Sequence, residues 1–196
     1  TQQIGFQEYL HSITEATARI TRLEQAMRDA LPEWGLRPLV QALHALRGVQ
    51  LIAAMTLVAE LQDFERFANP RQLMSYVGLV PGEYSSGPKR RQGSITKAGN
   101  SAARMLVEIA WHYQHAPRVS PIIAARQDQL PKAVTDIAWA AQLRLNAKFK
   151  RLVARRLMKT KAVVAIAREL AGFVWAIGRE VQRSGWKGVP IEANAG

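Results

Sequence analysis

The strongest signal for the fold lies in residues 6–30, which read FQEYLHSITEATARITRLEQAMRDA. Apolar side chains recur there at alternating steps of three and four residues, which is the period of a coiled-coil seam. The seam residues are Phe6, Tyr9, Ile13, Ala16, Ile20, Leu23, Met27 and Ala30. Such a stripe is narrower than the face that a helix normally buries in a globular core. The stretch therefore predicts a long helix that pairs with another long helix; the alternative is a helix that packs on its own domain.

Helical patterns also cover most of the remaining chain, and Pro32 and Gly35 are expected to end the first helix. Further helices are predicted over residues 38–46, 51–61, 70–77, 101–115, from Pro121, 132–157 and 161–183. We predict an all-α fold in three parts. These are a coiled-coil or dimerisation helix over 1–35, a compact multi-helix domain over 36–185 and a flexible tail over 186–196.

The predicted helices on either side of Gly48 resemble a helix-hairpin-helix, an element that presents backbone N–H groups to a DNA phosphate. Such elements usually have a glycine on both sides of the hydrophobic residue in the turn. Residues 47–50 read RGVQ and keep only the first glycine, because Gln50 replaces the second. A purely structural turn and a DNA-binding turn therefore both remain open.

Residues 80–100 show neither a helical nor a strand period, and we predict that they form a long functional loop. The segment contains four glycines, the serine pair Ser85 and Ser86, and four Lys or Arg against one acid. Glycine allows the backbone to approach a phosphate closely, and free N–H groups at the start of the next helix attract anions. Ser86 is then a candidate nucleophile beside a phosphate. The alternative is a solvated basic hairpin whose serines only satisfy turn geometry.

The net charge of +12 is unevenly distributed along the chain. Residues 1–66 carry six Lys or Arg against eight Asp or Glu, whereas residues 67–196 carry 21 against seven. A polyanionic partner therefore belongs to the second part, and nucleic acid is the expected one. A basic surface that serves solubility or binds acidic proteins is the alternative.

The basic residues are densest over residues 137–168, where nine Lys or Arg occur without an acid. Steps of three and four residues place several of them on one helix face, and like charges so placed repel unless a polyanion lies against them. We therefore predict a nucleic-acid-binding face. Its predicted contacts are Arg144, Lys148, Lys150, Arg151, Arg155 and Arg156.

Several kinds of site and location are excluded or disfavoured. The chain has no Cys, which excludes disulfides and thiolate metal sites and favours a reducing cytoplasm. No apolar run reaches the roughly 18 residues of a membrane span. The four histidines lack ligand-type spacing and are predicted to be structural or exposed. Because the chain begins at Thr1 without Met, we expect a fragment of a longer protein.

Three separated motifs carry a family resemblance. Residues 67–81 read FANPRQLMSYVGLVP, residues 84–87 read YSSG, and residues 95–100 read ITKAGN, followed by Arg104. In this order they resemble the C-terminal transposase domain of the insertion-sequence one-ten family. That family comprises serine-dependent, RNA-guided recombinases of bacterial mobile elements, which are related to the Piv-type DNA invertases. The resemblance extends in weaker form over residues 42–185.

The resemblance implies a catalytic role for Ser86. In the family, the serine of the Ser-Gly pair attacks a DNA phosphodiester and becomes linked to it. The activating groups come from an N-terminal RNase-H-like domain with four metal-binding carboxylates, contributed by another subunit. We expect Mg²⁺ in that domain and no cofactor in this fragment. The residues expected to hold the phosphate or neighbouring nucleic acid are Lys89, Arg90, Arg91, Lys97, Asn100 and Arg104.

The expected partners are DNA, a guide RNA, the metal-binding domain and a second copy of the chain, paired through residues 6–30. Two other classes of function remain open on the residues alone. One is a basic helical module that binds DNA or RNA without chemistry. The other is an assembly domain in which the coiled-coil helix is the main functional element and the cations serve solubility.

Overall fold

A computed structural model describes residues 2–83, 92–95 and 101–189. The chain divides into two units, Thr1–Arg37 and Pro38–Gly196. The predicted all-α fold is confirmed, with one short antiparallel strand pair inserted between helices. In the described residues the helices are α1 (Gln2–Ala30), α2 (Arg37–Leu43), α3 (Leu51–Leu61), α4 (Pro70–Tyr76), α5 (Ser101–Ala110), α6 (Pro121–Gln127), α7 (Lys132–Ala154) and α8 (Lys159–Ser184), and the strands are β1 (Pro81–Glu83) and β2 (Gln92–Ile95).

The first unit consists of α1 and a 3-10 turn, Leu31–Glu33, that contains Pro32. At 29 residues, α1 is roughly 44 Å long. Its seam side chains are exposed except for the half-buried Met27, with Ile13 at 62% and Ile20 at 57%. The seam residues that predict the helix therefore form an apolar stripe that faces solvent. The role of this unit in dimerisation stays a prediction.

The second unit is built around α8, which packs against α4, α5 and α7. The buried face of α8 includes Ile166, Leu170, Val174 and Ile177 at steps of three and four residues. Gly178 continues this face, and a Cβ at this position would overlap the Phe64 ring. Glycine thus allows the segment after α3 to lie directly on α8.

Two predicted helix starts are confirmed by their caps. The Asn69 side chain accepts hydrogen bonds from the backbone N–H groups of Arg71 and Gln72 at the start of α4. The Ser120 hydroxyl accepts from the N–H of Ile123 at the start of α6. Proline follows each cap, where its missing N–H costs no helical hydrogen bond.

Several predicted boundaries are wrong. The helix predicted over 38–46 ends at Leu43, before a turn in which Gly48 has a φ of 81°. The helix predicted over 101–115 becomes a 3-10 turn after Ala110, and α7 ends at Ala154 instead of residue 157. The segment predicted to lack strands contains β1 and β2, in which Pro81 pairs with Ile95.

The structure describes residues 186–189 of the predicted flexible tail. Two reciprocal hydrogen bonds join the Gln41 side chain to the backbone of Val189, with lengths of 2.9 and 3.0 Å. Gly188 allows this contact because it has a φ of 87° and lies against Gln41. Residues 186–189 are therefore held on α2, and the rest of the predicted tail lies outside the described residues.

Across the described part of the chain, no helix combines the length and the apolar character that a membrane crossing needs. The cytoplasmic location stays a prediction.

Candidate nucleic-acid interface

Of the predicted catalytic loop, the structure describes only residues 80–83 and 92–95. Ser86 lies outside the described residues, as do Lys89, Arg90, Arg91, Lys97 and Asn100. The antiparallel pairing of β1 with β2 brings Glu83 opposite Gln92. Arg104 is exposed on the first turn of α5. The roles of all these residues stay predictions.

The basic face of α7 contains an ion-pair cluster that the local sequence does not reveal. Glu169 of α8 accepts hydrogen bonds from Arg144 Nε and from Lys148 Nζ, the latter at 2.6 Å. Burial alone would raise the pKa of Glu169, but the hydrogen bonds and charges of Lys148 and Arg144 outweigh burial and lower it. Glu169, a carboxylate of the chain itself, thus pairs with two of the cations that the sequence predicted to bind nucleic acid.

Arg151 lies beside this cluster and is exposed. A surface groove of about 430 Å³ is bordered by Arg144, Lys148 and Arg151 together with Glu169. The structure therefore brings three of the predicted contacts together, and one carboxylate offsets part of their charge. Lys150, although exposed, does not line this groove.

The end of α7 presents two further cations, Arg155 and Arg156, both exposed. Arg156 has a φ of 61°, in the left-handed region that normally favours glycine. Its N–H donates to the carbonyl of Val153, and the N–H of Leu157 donates to the carbonyl of Leu152. This pair of bonds is a Schellman motif, in which an arginine occupies the glycine position.

A second basic site lies at the turn between α2 and α3. A cleft of about 380 Å³ is formed by this turn, the end of α5 and the start of α6. We call it the turn cleft. Its lining residues are Arg47, Gly48, Gln50, His112, Arg118, Ser120, Ile122, Ile123 and Arg126.

The glycine of the turn has a packing reason. At its positive φ, a Cβ on Gly48 would lie 2.5 Å from the His112 ring. The turn and the 3-10 segment after α5 are therefore in close contact. Gln50 does not cap α3 with its side chain, because its Oε1 accepts a 2.7 Å hydrogen bond from Arg126.

Two buried polar residues of α7 hold the chain segment beside this cleft. Asn146 Nδ2 donates to the carbonyls of Tyr113, Gln114 and His115. Gln142 Oε1 accepts from the backbone N–H of Arg118 at 3.0 Å. These amides replace backbone partners that the segment lacks once the helix has ended.

The histidines differ in their surroundings. Burial and the nearby charge of Arg126 lower the pKa of His44 to about 4. Burial, with Arg47 and then His115, also lowers the pKa of His112, although this ring lines the turn cleft. In the part of the chain that the structure describes, no group of three or more His, Asp or Glu side chains is placed to hold a metal ion.

Sequence reasoning missed the three arginines of the turn cleft, Gln142 and Asn146, and the partner role of Glu169. A weak signal existed for the two amides, because they stand four residues apart among apolar positions of α7. No local signal joins Arg47 to Arg118 and Arg126, because the fold alone brings the turn after α2 to the region of α6.

Comparisons with known proteins identify relatives. Residues 40–124 match the model of the transposase IS116/IS110/IS902 family. The chain is 48% identical over 163 residues to a Sinorhizobium fredii protein named as transposase y4qE, covering 83% of this chain and 42% of that protein. It is 30% identical over 137 residues to the transposase for insertion sequence element IS1111A of Coxiella burnetii, covering 70% and 32%. It is 26% identical over 156 residues to the transposase for IS1533 of Leptospira borgpetersenii, covering 79% and 45%.

The chain thus spans less than half the length of these relatives. The matched residues run from α2 through the loop into α6 and include the YSSG motif and all of the turn cleft except Arg126. Residues 40–124 are accordingly similar to the transposases of the IS116/IS110/IS902 family.

Proposed function

We propose that this chain supplies the serine nucleophile and a nucleic-acid-binding surface of a DNA transposase. The observation that carries the proposal is the family match over residues 40–124, because it encloses the YSSG motif at residues 84–87. The transposase names of the relatives support DNA as the substrate. The resemblance of the motif to the serine-dependent recombinases supports Ser86 as the attacking residue.

The proposed step is a transfer of a phosphodiester bond from DNA to the protein. The Ser86 hydroxyl oxygen forms a bond to phosphorus, and the bond from phosphorus to one sugar oxygen breaks. The serine proton leaves to a base, and the departing sugar oxygen takes up a proton. Reversal of the step on a different strand end completes the exchange and releases the serine. Nearby cations offset the charge that develops on the phosphate.

A serine hydroxyl needs activation before it attacks at neutral pH. The described residues of this chain hold no carboxylate cluster for that purpose. We therefore propose that activation comes from the RNase-H-like, Mg²⁺-binding domain that the resemblance implies. On this view, the 196-residue chain by itself binds nucleic acid and does not cleave it.

The test is covalent-adduct formation by a full-length protein that includes this chain and the metal-binding domain. Ser86→Ala should abolish the adduct with labelled substrate DNA and leave DNA affinity nearly unchanged, because only one hydroxyl is lost. Ser85→Ala is the matched control and should keep most of the adduct. Denaturing electrophoresis, followed by mass spectrometry of the attached peptide, identifies the linked residue.

An adduct on any other residue, or full recombination by the Ser86→Ala protein, would reject the assignment of Ser86. Cleavage by the 196-residue chain alone would reject the proposed activation by a partner domain. The nucleophile would then still be identified by mass spectrometry of the attached peptide.

We further propose that the exposed end of α7 contacts the nucleic-acid backbone, either of DNA or of the guide RNA. Changing Arg151, Arg155 and Arg156 together to Glu should reduce the slope of log affinity against log salt by roughly two to three for duplex DNA. The control is Arg19→Glu with Arg22→Glu on the net-acidic first unit, which should leave the slope unchanged. An unaltered slope in the triple variant would exclude this surface.

The exposed seam of α1 supports a homo-oligomer as part of the same proposal. Pairing through residues 6–30 would bring two copies of the chain together, as strand exchange between two DNA sites requires. The seam also supports the assembly role that the sequence left open, and we treat that role as one part of the transposase and not as a separate function.

A further inference from the structure

The turn cleft gathers positive charge from the turn after α2 and from the region of α6, which lie about 70 residues apart in the sequence. Arg47 belongs to the turn after α2, Arg118 precedes α6, and Arg126 lies near its end. None of the three forms a salt bridge with a described carboxylate, whereas Arg144 and Lys148 on α7 share Glu169. Among the described residues, the cleft is therefore a cationic site without an ion-paired carboxylate, whereas Glu169 neutralises part of the basic face of α7.

Two of these arginines are held in place by oxygen atoms that carry no net charge. Arg47 Nη1 donates to the carbonyl of Ala116 at 2.7 Å. Arg126 donates through Nη1 to the carbonyl of Val49 and through Nη2 to Gln50 Oε1, at 3.3 and 2.7 Å. Each guanidinium has five N–H donors, so both keep donors for a further partner. Their positions are set before any ligand binds, which lowers the entropy cost of binding.

The third arginine differs, because its side chain is exposed and only its backbone N–H is tied, to Gln142. Arg118 can therefore adjust to a ligand while Arg47 and Arg126 stay fixed. The cleft also presents the Ser120 side chain and the His112 ring. The lowered pKa of His112, caused by burial and then by Arg47 and His115, is consistent with a positive field in the cleft.

We propose that the turn cleft binds a phosphodiester group of the nucleic-acid backbone through Arg47, Arg118 and Arg126. The guanidinium fork matches the paired oxygens of a phosphate, and such charge-assisted hydrogen bonds are about twice as strong as neutral ones. The contact uses side chains, because the turn has lost one of the two glycines that close backbone approach to a phosphate requires, and the remaining Gly48 packs on His112. This inference rests on the proposed function, since that function supplies the nucleic acid.

The experiment measures the binding of the 196-residue chain to a 12-base-pair DNA duplex as a function of salt. Arg118→Gln should lower the slope of log affinity against log salt by about 0.9, the amount expected for one lost duplex phosphate contact. Arg126→Gln should do the same. Arg19→Gln on α1 has the same change of charge and should leave the slope unchanged.

A second readout follows the His112 ring by NMR. An anion in the cleft offsets the positive charges that face this ring, so the duplex should raise the pKa of His112 toward its ordinary value. The Arg118→Gln variant should show a smaller rise. Arg118 is exposed, and this variant therefore separates lost binding from lost folding.

A parallel arm uses a single-stranded RNA of 12 nucleotides, for which one lost contact corresponds to a slope change of about 0.7. A change with either nucleic acid supports the proposal, and the larger effect identifies the natural source of the phosphate. Equal binding of a glutamate peptide with the same charge would overturn the assignment to a phosphodiester.

One outcome would overturn this inference alone. In it, both cleft variants keep the salt slope and the His112 signal of the unmodified chain, while the triple α7 variant still has a smaller slope. A complete lack of salt-dependent nucleic-acid binding by the unmodified chain would overturn the inference and the proposed binding function together.

Discussion

The two units of the chain place their apolar side chains in opposite ways. The first unit exposes the apolar stripe of α1 along its length, with Phe6 at 63% and Leu23 at 54% exposure. The second unit turns the apolar face of α8 inward, where Leu170 and Val174 are fully buried. Both helices are amphipathic, but the stripe of α1 has the narrower coiled-coil period. An apolar stripe that stays in water is a surface for association, and one that is covered is a source of fold stability.

The comparison predicts that seam variants change assembly and leave the second unit stable. Ile13→Asp with Ile20→Asp should convert an oligomer to a monomer, because charges in a coiled-coil seam must be desolvated on pairing. Sedimentation velocity reports the change in mass, and urea unfolding of the second unit should have the same midpoint. A chain that is monomeric before and after the change would contradict the proposed role of α1.

Variants in the core of the second unit should lower its stability and leave assembly unchanged. Gly178→Ala should lower the free energy of unfolding by roughly 1–3 kcal/mol, because the added methyl overlaps the Phe64 ring. The matched control is Gly172→Ala in the same helix, whose new methyl meets the flexible end of Met74 at 3.1 Å and makes an ordinary contact with Pro70 Cβ at 3.7 Å. This control should range from neutral to about 1 kcal/mol more stable, since alanine favours a helix over glycine. Equal destabilisation by both changes would show that the Phe64 contact is not decisive.

A titration of stability tests the second unit further. The pKa of His44 is about 4 in the folded protein, below its ordinary value of 6.5, so the unfolded chain takes up the proton first as pH falls. The neutral His44 ring therefore contributes fully to the free energy of unfolding above pH 6.5, and this contribution is lost progressively as the pH falls to about 4. We expect an effect on the order of 1 kcal/mol, because the ring is partly exposed and solvent screens its interactions.

His44→Leu should remove this part of the pH dependence, as measured by urea unfolding at pH 7.5 and pH 5. A change at the exposed His11 of α1 is the control and should leave the difference between the two pH values intact. The same pH dependence in the His44→Leu protein would assign the effect to other groups.

The smallest expected effect concerns Arg156, which ends α7 in a conformation suited to glycine. Arg156→Gly and Arg156→Ala remove the same charge, but only the glycine relieves the left-handed strain. The glycine variant should therefore be more stable than the alanine variant by up to about 1 kcal/mol. Both should weaken duplex binding equally if the side chain contacts a phosphate. An alanine variant that is more stable than the glycine variant would contradict backbone strain at Arg156.

Local sequence predicted the features that short-range interactions decide. The heptad spacing predicted α1, the predicted starts at Pro70 and Pro121 agree with those of α4 and α6, and apolar periods identified α3, α7 and α8. Helix ends were less accurate, because the end of a helix also depends on contacts made by the next segment. The turn after Leu43 shows this, since Gly48 lies against a ring 64 residues further along the chain.

Sequence by itself also determined the uneven charge and the motifs that indicate a transposase domain, because composition and short motifs need no folding to be recognised. Tertiary structure alone decided how the charges are used. It placed Glu169 of α8 against two cations of α7, and it brought Arg47, Arg118 and Arg126 together in one cleft. The physical reason is that electrostatic energy depends on distance in space, and residues far apart in sequence become neighbours only when the helices pack.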